Sequence, residues 1–174
     1  MPMFEFEGKR PQVHPEAFIA PTATLIGDVT VEKGASIWYG VVLRADICTI
    51  IVREGANIQD NSVVHGGPEA VVEIGAHSTV AHSCVMHGKR LGEKSILANN
   101  SVMLDDSVIG DGTMVAASSM IGPGGSIPDH VLAAGAPAQV KKPIAGTPAE
   151  FWVQVNGDYY ADLARRHANG VREV

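Results

Sequence analysis

"LGEKSILANNSVMLDDSVIGDGTMVAASSMIGPGGSI", Leu91 to Ile127, carries one large aliphatic residue at every sixth position: Leu91, Leu97, Met103, Ile109, Val115, Ile121 and Ile127. Four residues after each of the first six stands a small one, in the series Ser95, Ser101, Ser107, Thr113, Ser119 and Gly125. Six is not close to a whole number of 3.6-residue turns, so this pattern cannot keep one face of a helix apolar. It suits a short strand followed by a tight corner, with one large and one small side chain turned inward. Three such sides close a triangular coil, and successive coils stack as parallel strands about 4.8 Å apart. Each coil buries its inner face only against its neighbours, as solenoids do.

The same period runs back towards the N-terminus with three changes of frame. Its members are Ile19, Leu25, Val31, Ile37 and Leu43, then Val52, Ile58 and Val64, then Ile74, Val80 and Met86. At the other end it closes weakly at Ala133. The pattern resembles the hexapeptide left-handed parallel β-helix family over residues 19 to 138, and the left hand of the coil is implied by that resemblance. The fold expected is therefore all-β, with a β-helix over 1–144 and a C-terminal α-helix over 145–174 packed on it as part of one structural domain. The tail "GTPAEFWVQVNGDYYADLARRHANG" supports the helix. Thr147 is placed as N-cap, Pro148 in the first turn and Glu150 at the capping-box position. Phe151, Val155, Tyr159 and Leu163 form an i, i+4 apolar stripe, and Gly157 weakens its centre.

Composition narrows the function. The 174 residues are 45% apolar, 18% charged and 5% aromatic, which describes a globular chain with an aliphatic core. A formal charge of −6 opposes broad binding to nucleic acid or to anionic lipid, and favours a small-molecule substrate. Cys48 and Cys84 lack a Cys-x-x-Cys companion and read as buried thiols in a reducing compartment. No apolar run approaches a membrane span, and the start "MPMFEFEGKR" has no signal-peptide core, so the cytoplasm is expected.

The hexad register gives each outward side chain an address. His65 follows Val64 and His87 follows Met86, three hexads apart, so the two rings stack on one side of the prism in adjacent coils. Arg44, after Leu43, falls in the same column one coil earlier. His82 occupies another place in its hexad, with Asp60 below it, and faces a different direction. A second subunit can bring a His82 to the His65–His87 pair, and a triangular rod that repeats this heterologous contact closes after three copies. Three histidines with an open fourth position suit catalytic zinc. His14, His77, His130 and His167 show no such convergence.

Four segments extend the likeness. "LRAD" (43–46), "NIQDNSVVHGG" (57–67), "VAHSCVMHG" (80–88) and "AGAPAQVKKPI" (134–144) together resemble, in order, the motifs of the γ-class carbonic anhydrase family of hexapeptide proteins. The resemblance implies that His65, His82 and His87 ligate zinc, or iron or cobalt, between subunits of a homotrimer. It places Arg44, Asp46 and Asp60 in inter-subunit polar contacts, Gln59 as the residue orienting metal-bound hydroxide, and Tyr159 as a helix tyrosine near the metal. The implied enzyme is a lyase that hydrates CO2 reversibly to bicarbonate. Two departures stand out. The acidic loop after the Arg-x-Asp motif is replaced by Ile47, Cys48 and Thr49, leaving Glu69 as the carboxylate nominated for proton transfer. Asn99 and Asn100 stand where relatives carry glycines. Alternatives from other classes are a zinc-dependent thioesterase or other hydrolase, a hexapeptide acyltransferase using a histidine base, and a trimeric scaffold without catalysis.

Overall fold

A computed structural model describes residues 2–174. The hexads form a parallel β-solenoid of about seven turns with three sides. On the first side, backbone pairing stacks Leu25, Leu43, Val64, Met86, Met103 and Ile121 in one column. The second side stacks Val13, Val31, Val52, Ile74, Leu91, Ile109 and Ile127. The third stacks Ile19, Ile37, Ile58, Val80, Leu97, Val115 and Ala133. Nearly all of these side chains are buried, and they converge on the prism axis as one aliphatic core. The N-terminus adds more than the hexads announce: Met3–Phe4 pairs with Leu25–Ile26, and Gln12–Val13 with Thr30–Val31.

The small inward residues do a second job. Ser62 donates its hydroxyl to the carbonyl of Ala81, Ser95 to Gly110, Ser101 to Ala116 and Thr113 to Pro128. Each such hydroxyl can also accept an amide from the coil above, as Ser95 does from Thr113 and Ser101 from Ser119. Among the described residues no fully buried side-chain nitrogen or oxygen lacks a partner, so the polar column inside the prism carries no desolvation penalty.

At most hexads the corner is made three residues after the large aliphatic. Asn61, His77, Ser83, Lys94, Asn100, Asp106, Ser118 and His130 all have positive φ there, as do Gly34, Gly40, Gly55, Gly112 and Gly124. A left-handed residue is the means by which a strand of a few residues turns sharply into the next, and Asn, Asp and Gly tolerate it best. The three breaks in the six-residue period all fall at one corner, between the first side and the second: from Leu43 to Val52, from Val64 to Ile74, and from Met86 to Leu91. The prism is therefore regular except along one edge, the edge next to His65 and His87.

The helix, Pro148–Gly170, packs along the third side and ends against the first coils, where His167 meets Phe18 and Trp38 edge-on. Two details differ from expectation. Thr147 does not close a capping box: its hydroxyl donates to the Ile144 carbonyl, and Glu150 accepts from the Gly146 amide instead. The apolar stripe is buried only in part: Val155 and Leu163 are half-buried, with Leu163 against the core. Ala149, Val153, Gly157 and Ala164 face the prism, while Phe151 and Tyr159 are exposed. At the centre of the helix the cause is distance: a Cβ on Gly157 would stand 2.8 Å from the His77 carbonyl oxygen, so this point of the docking face has no room for a side chain, whereas nearer the C-terminal end Tyr160 and Leu163 pack against the core. No helix among the described residues is long and apolar enough to cross a membrane. Cys48 and Cys84 are free thiols, both buried.

Candidate metal centre

The register carries Arg44, His65 and His87 up one column, because Leu43 pairs with Val64 and Val64 with Met86. The rings of His65 and His87 lie 5.0 Å apart between centroids, with His65 Nδ1 3.0 Å from His87 Nε2. The other nitrogen of each ring meets a carboxylate. His65 Nε2 is 3.0 Å from Asp46, and His87 Nδ1 is 2.8 Å from Asp105 in the next coil. Asp46 is gripped in turn by Arg44 and by the Ile47 amide. Burial pushes the Asp46 carboxyl up, but the hydrogen bonds from Arg44 and His65 and the guanidinium charge outweigh it and hold the group at about 2. Asp46 is therefore ionised at any working pH and accepts the N–H of His65.

A consequence follows for the inner nitrogens. If each ring gives its outer N–H to a carboxylate, His65 Nδ1 and His87 Nε2 present two lone pairs to one another across 3.0 Å. Two acceptors at that distance repel unless a cation lies between them, either a proton or a metal ion. Two tetrahedral ligands with zinc–nitrogen bonds of 2.0 to 2.1 Å stand roughly 3.3 Å apart, so the pair needs to open only slightly to take a metal. The donor set thus fits a divalent ion of the zinc type on two of its ligand positions.

His82 lies on the third side, where its Nδ1 is 2.9 Å from Asp60 and its Nε2 is left for another partner. It borders a separate pocket of about 400 Å³ with Gln59, Asn99, Trp152, Asn156 and Tyr160. Within one chain, no three His, Cys, Asp or Glu side chains among the described residues are grouped so as to hold a metal.

The orientation of Gln59 is set by its neighbours. Asn57 uses its NH2 on Thr79 and on the Ser78 carbonyl, so its oxygen faces Gln59, whose own NH2 donates to it at 3.0 Å. The Gln59 carbonyl is left as an acceptor. Asn156, on the helix, donates to the same Thr79 hydroxyl and ties the helix to this chain of amides. Tyr159 is exposed and does not line the pocket; the tyrosine that does is Tyr160, whose hydroxyl burial and the charge of Asp60 push up.

Near His87 the irregular corner opens a pocket of about 260 Å³ lined by Gly67, Pro68, Gly88, Lys89, Asp105 and Asp106. Glu69 is exposed at a left-handed corner and takes no part in that lining. Asp105 was invisible to the column count because it sits two places beyond Met103 in the coil above; its one signal was the run "LDD" in the hexad that stacks on His87. Asn99 borders the His82 pocket, whereas Asn100 forms the corner whose amide donates to the His82 carbonyl.

No protein-family model matches the chain. It is 37% identical over 166 residues to "Gamma carbonic anhydrase 1, mitochondrial" of Arabidopsis thaliana, covering 92% of this chain and 60% of that one. The chain thus spans less than two thirds of the plant protein's length. The match to the carnitine operon protein CaiE of Shigella flexneri is 38% over 170 residues, covering 97% and 86%. Among solved structures, a hexapeptide transferase family protein from Anaplasma phagocytophilum matches with a TM-score of 0.88 and 38% identity over 94% of this chain and 96% of that one. With the stacked hexads, the plant relative, and CaiE and the Anaplasma protein matched over most of their lengths, the chain belongs to the γ-class carbonic anhydrase-like family of hexapeptide-repeat proteins.

Proposed function

We propose that the chain is a zinc-dependent lyase of the carbonic anhydrase type, interconverting CO2 and bicarbonate as a homotrimer. His65 and His87 of one protomer and His82 of the next would hold the metal. One observation carries this reading: His65 Nδ1 and His87 Nε2, from adjacent coils, face each other at 3.0 Å while the outer nitrogens of the two rings meet the carboxylates of Asp46 and Asp105. Asp60 does the same for His82. Zinc, when bound, supplies a water that ionises near pH 7.

The protein's own groups do the rest. The free carbonyl of Gln59 accepts a hydrogen bond from a water in the site and orients its lone pair towards the carbon. Ala98, Met114 and Trp152 give the His82 pocket an apolar wall suited to an uncharged substrate. Arg44 keeps Asp46 ionised, which keeps the proton of His65 on Nε2 and its Nδ1 free.

Stopped-flow CO2 hydration tests the reading. Activity should vanish after treatment with a strong chelator and return with added zinc; turnover indifferent to metal removal would overturn it. An acyl-CoA arm run beside it separates the hydrolase alternative, since thioester cleavage lost in His82→Ala with no CO2 turnover in the parent would reassign the same centre.

A further inference from the structure

We propose that Asp105 is the positioning residue for His87, selecting the tautomer that leaves His87 Nε2 free to bind a metal. The inference rests on the metal reading above but concerns a residue that the sequence motifs do not mark. A neutral imidazole can carry its proton on either nitrogen, and only the unprotonated one can ligate. Asp105 stands 2.8 Å from His87 Nδ1, the distance of a charge-assisted hydrogen bond. It belongs to the next coil, and the stacking of Met103 on Met86 brings it there. The backbone that carries it is fixed, because the His87 amide donates to the Met103 carbonyl and Asp106, the corner residue that follows, turns the chain with φ of 58°.

Alternative partners for Nδ1 are absent among the described side chains. Lys89 also borders the pocket, but an ammonium only donates and cannot hold an N–H. Asp106 is turned to Lys89. Each histidine thus has its own carboxylate: Asp46 for His65, Asp60 for His82 and Asp105 for His87. Partners of this kind commonly change metal affinity 10- to 100-fold.

Zinc affinity of the full chain, measured by competition with a chromophoric chelator, tests the assignment. Asp105→Ala should bind zinc about 10- to 100-fold more weakly than the parent, and Asp105→Glu should recover much of the loss. The Asp105 side chain is 59% exposed, so the melting temperature of the metal-free protein should not move in any variant. Asp106→Asn serves as the neighbouring control and should bind as the parent does. Equal affinity in Asp105→Ala and the parent would overturn the positioning role while leaving the metal reading intact. A parent that binds no zinc at all would overturn both. Should Asp105→Ala fold poorly, Asp105→Asn keeps the shape and loses the charge, and unchanged affinity there would count against the proposal in the same way.

Discussion

A histidine serves a metal only through the nitrogen that has lost its proton, and in this chain that choice is made by neighbouring carboxylates. Replacing Asp46 by Ala should let the His65 proton move to Nδ1 and weaken zinc binding by about 10- to 100-fold, measured by chelator competition. A second residue-scale expectation concerns pH. Cys84 is buried, and burial pushes its thiol up to about 11. Below about pH 9 the thiol is neutral in both folded and unfolded chains, so it contributes nothing. Between 9 and 11 the unfolded chain releases this proton and the folded one does not, so stability falls by about 1.4 kcal/mol per pH unit. Urea midpoints should therefore decline across that window in the parent and decline less in Cys84→Ala; identical slopes would show that the folded thiol ionises normally. The histidine columns were legible in the sequence because a stacked repeat fixes direction by counting alone. The partner of His87 was not, because Asp105 reaches it from a neighbouring coil through a side-chain rotamer that no count supplies.

At the scale of the element, the strands and the helix obeyed different rules. Strand sides were readable since each hexad's large residue has one place to go, the axis of the prism. The helix was readable in extent, Pro148–Gly170, but not in its facing. Periodicity selects the largest apolar residues, whereas a helix pressed against a flat strand surface is selected for small ones; Phe151 and Tyr159 consequently lie outside. Gly157→Ala weighs the two effects directly. Alanine gains up to about 1 kcal/mol of helix propensity. Against this, its methyl meets the backbone carbonyl of His77, which cannot rotate aside, and overpacking of this kind costs about 1–3 kcal/mol. The variant should be destabilised in urea unfolding, and a stabilised variant would mean the helix is held loosely enough to lift.

Over the whole molecule, the sides have distinct surfaces. The second carries a ladder of alternating charge, Glu32, Arg53, Glu73, Arg90 and Asp111, joined by ion pairs, while the first exposes Val63 and Val85 beside the histidines. A contact between copies through the first side should be broken by Val85→Glu, lowering the solution mass from three 18.3-kDa protomers to one and releasing bound zinc. Light scattering with metal analysis checks both. Sharing also predicts complementation: His65→Ala and His82→Ala chains, each metal-poor alone, should regain zinc when refolded together, at about one site in four.

The last strand of the third side, Val131–Gly135, pairs antiparallel with Ala138–Pro143, whereas the other strand pairings among the described residues are parallel. A column of identical rungs has no intrinsic reason to stop, and its open rim would invite another molecule to continue it as a growing filament. By folding the chain back on itself, this terminal hairpin covers the third side of that rim and removes one edge along which a further copy could add.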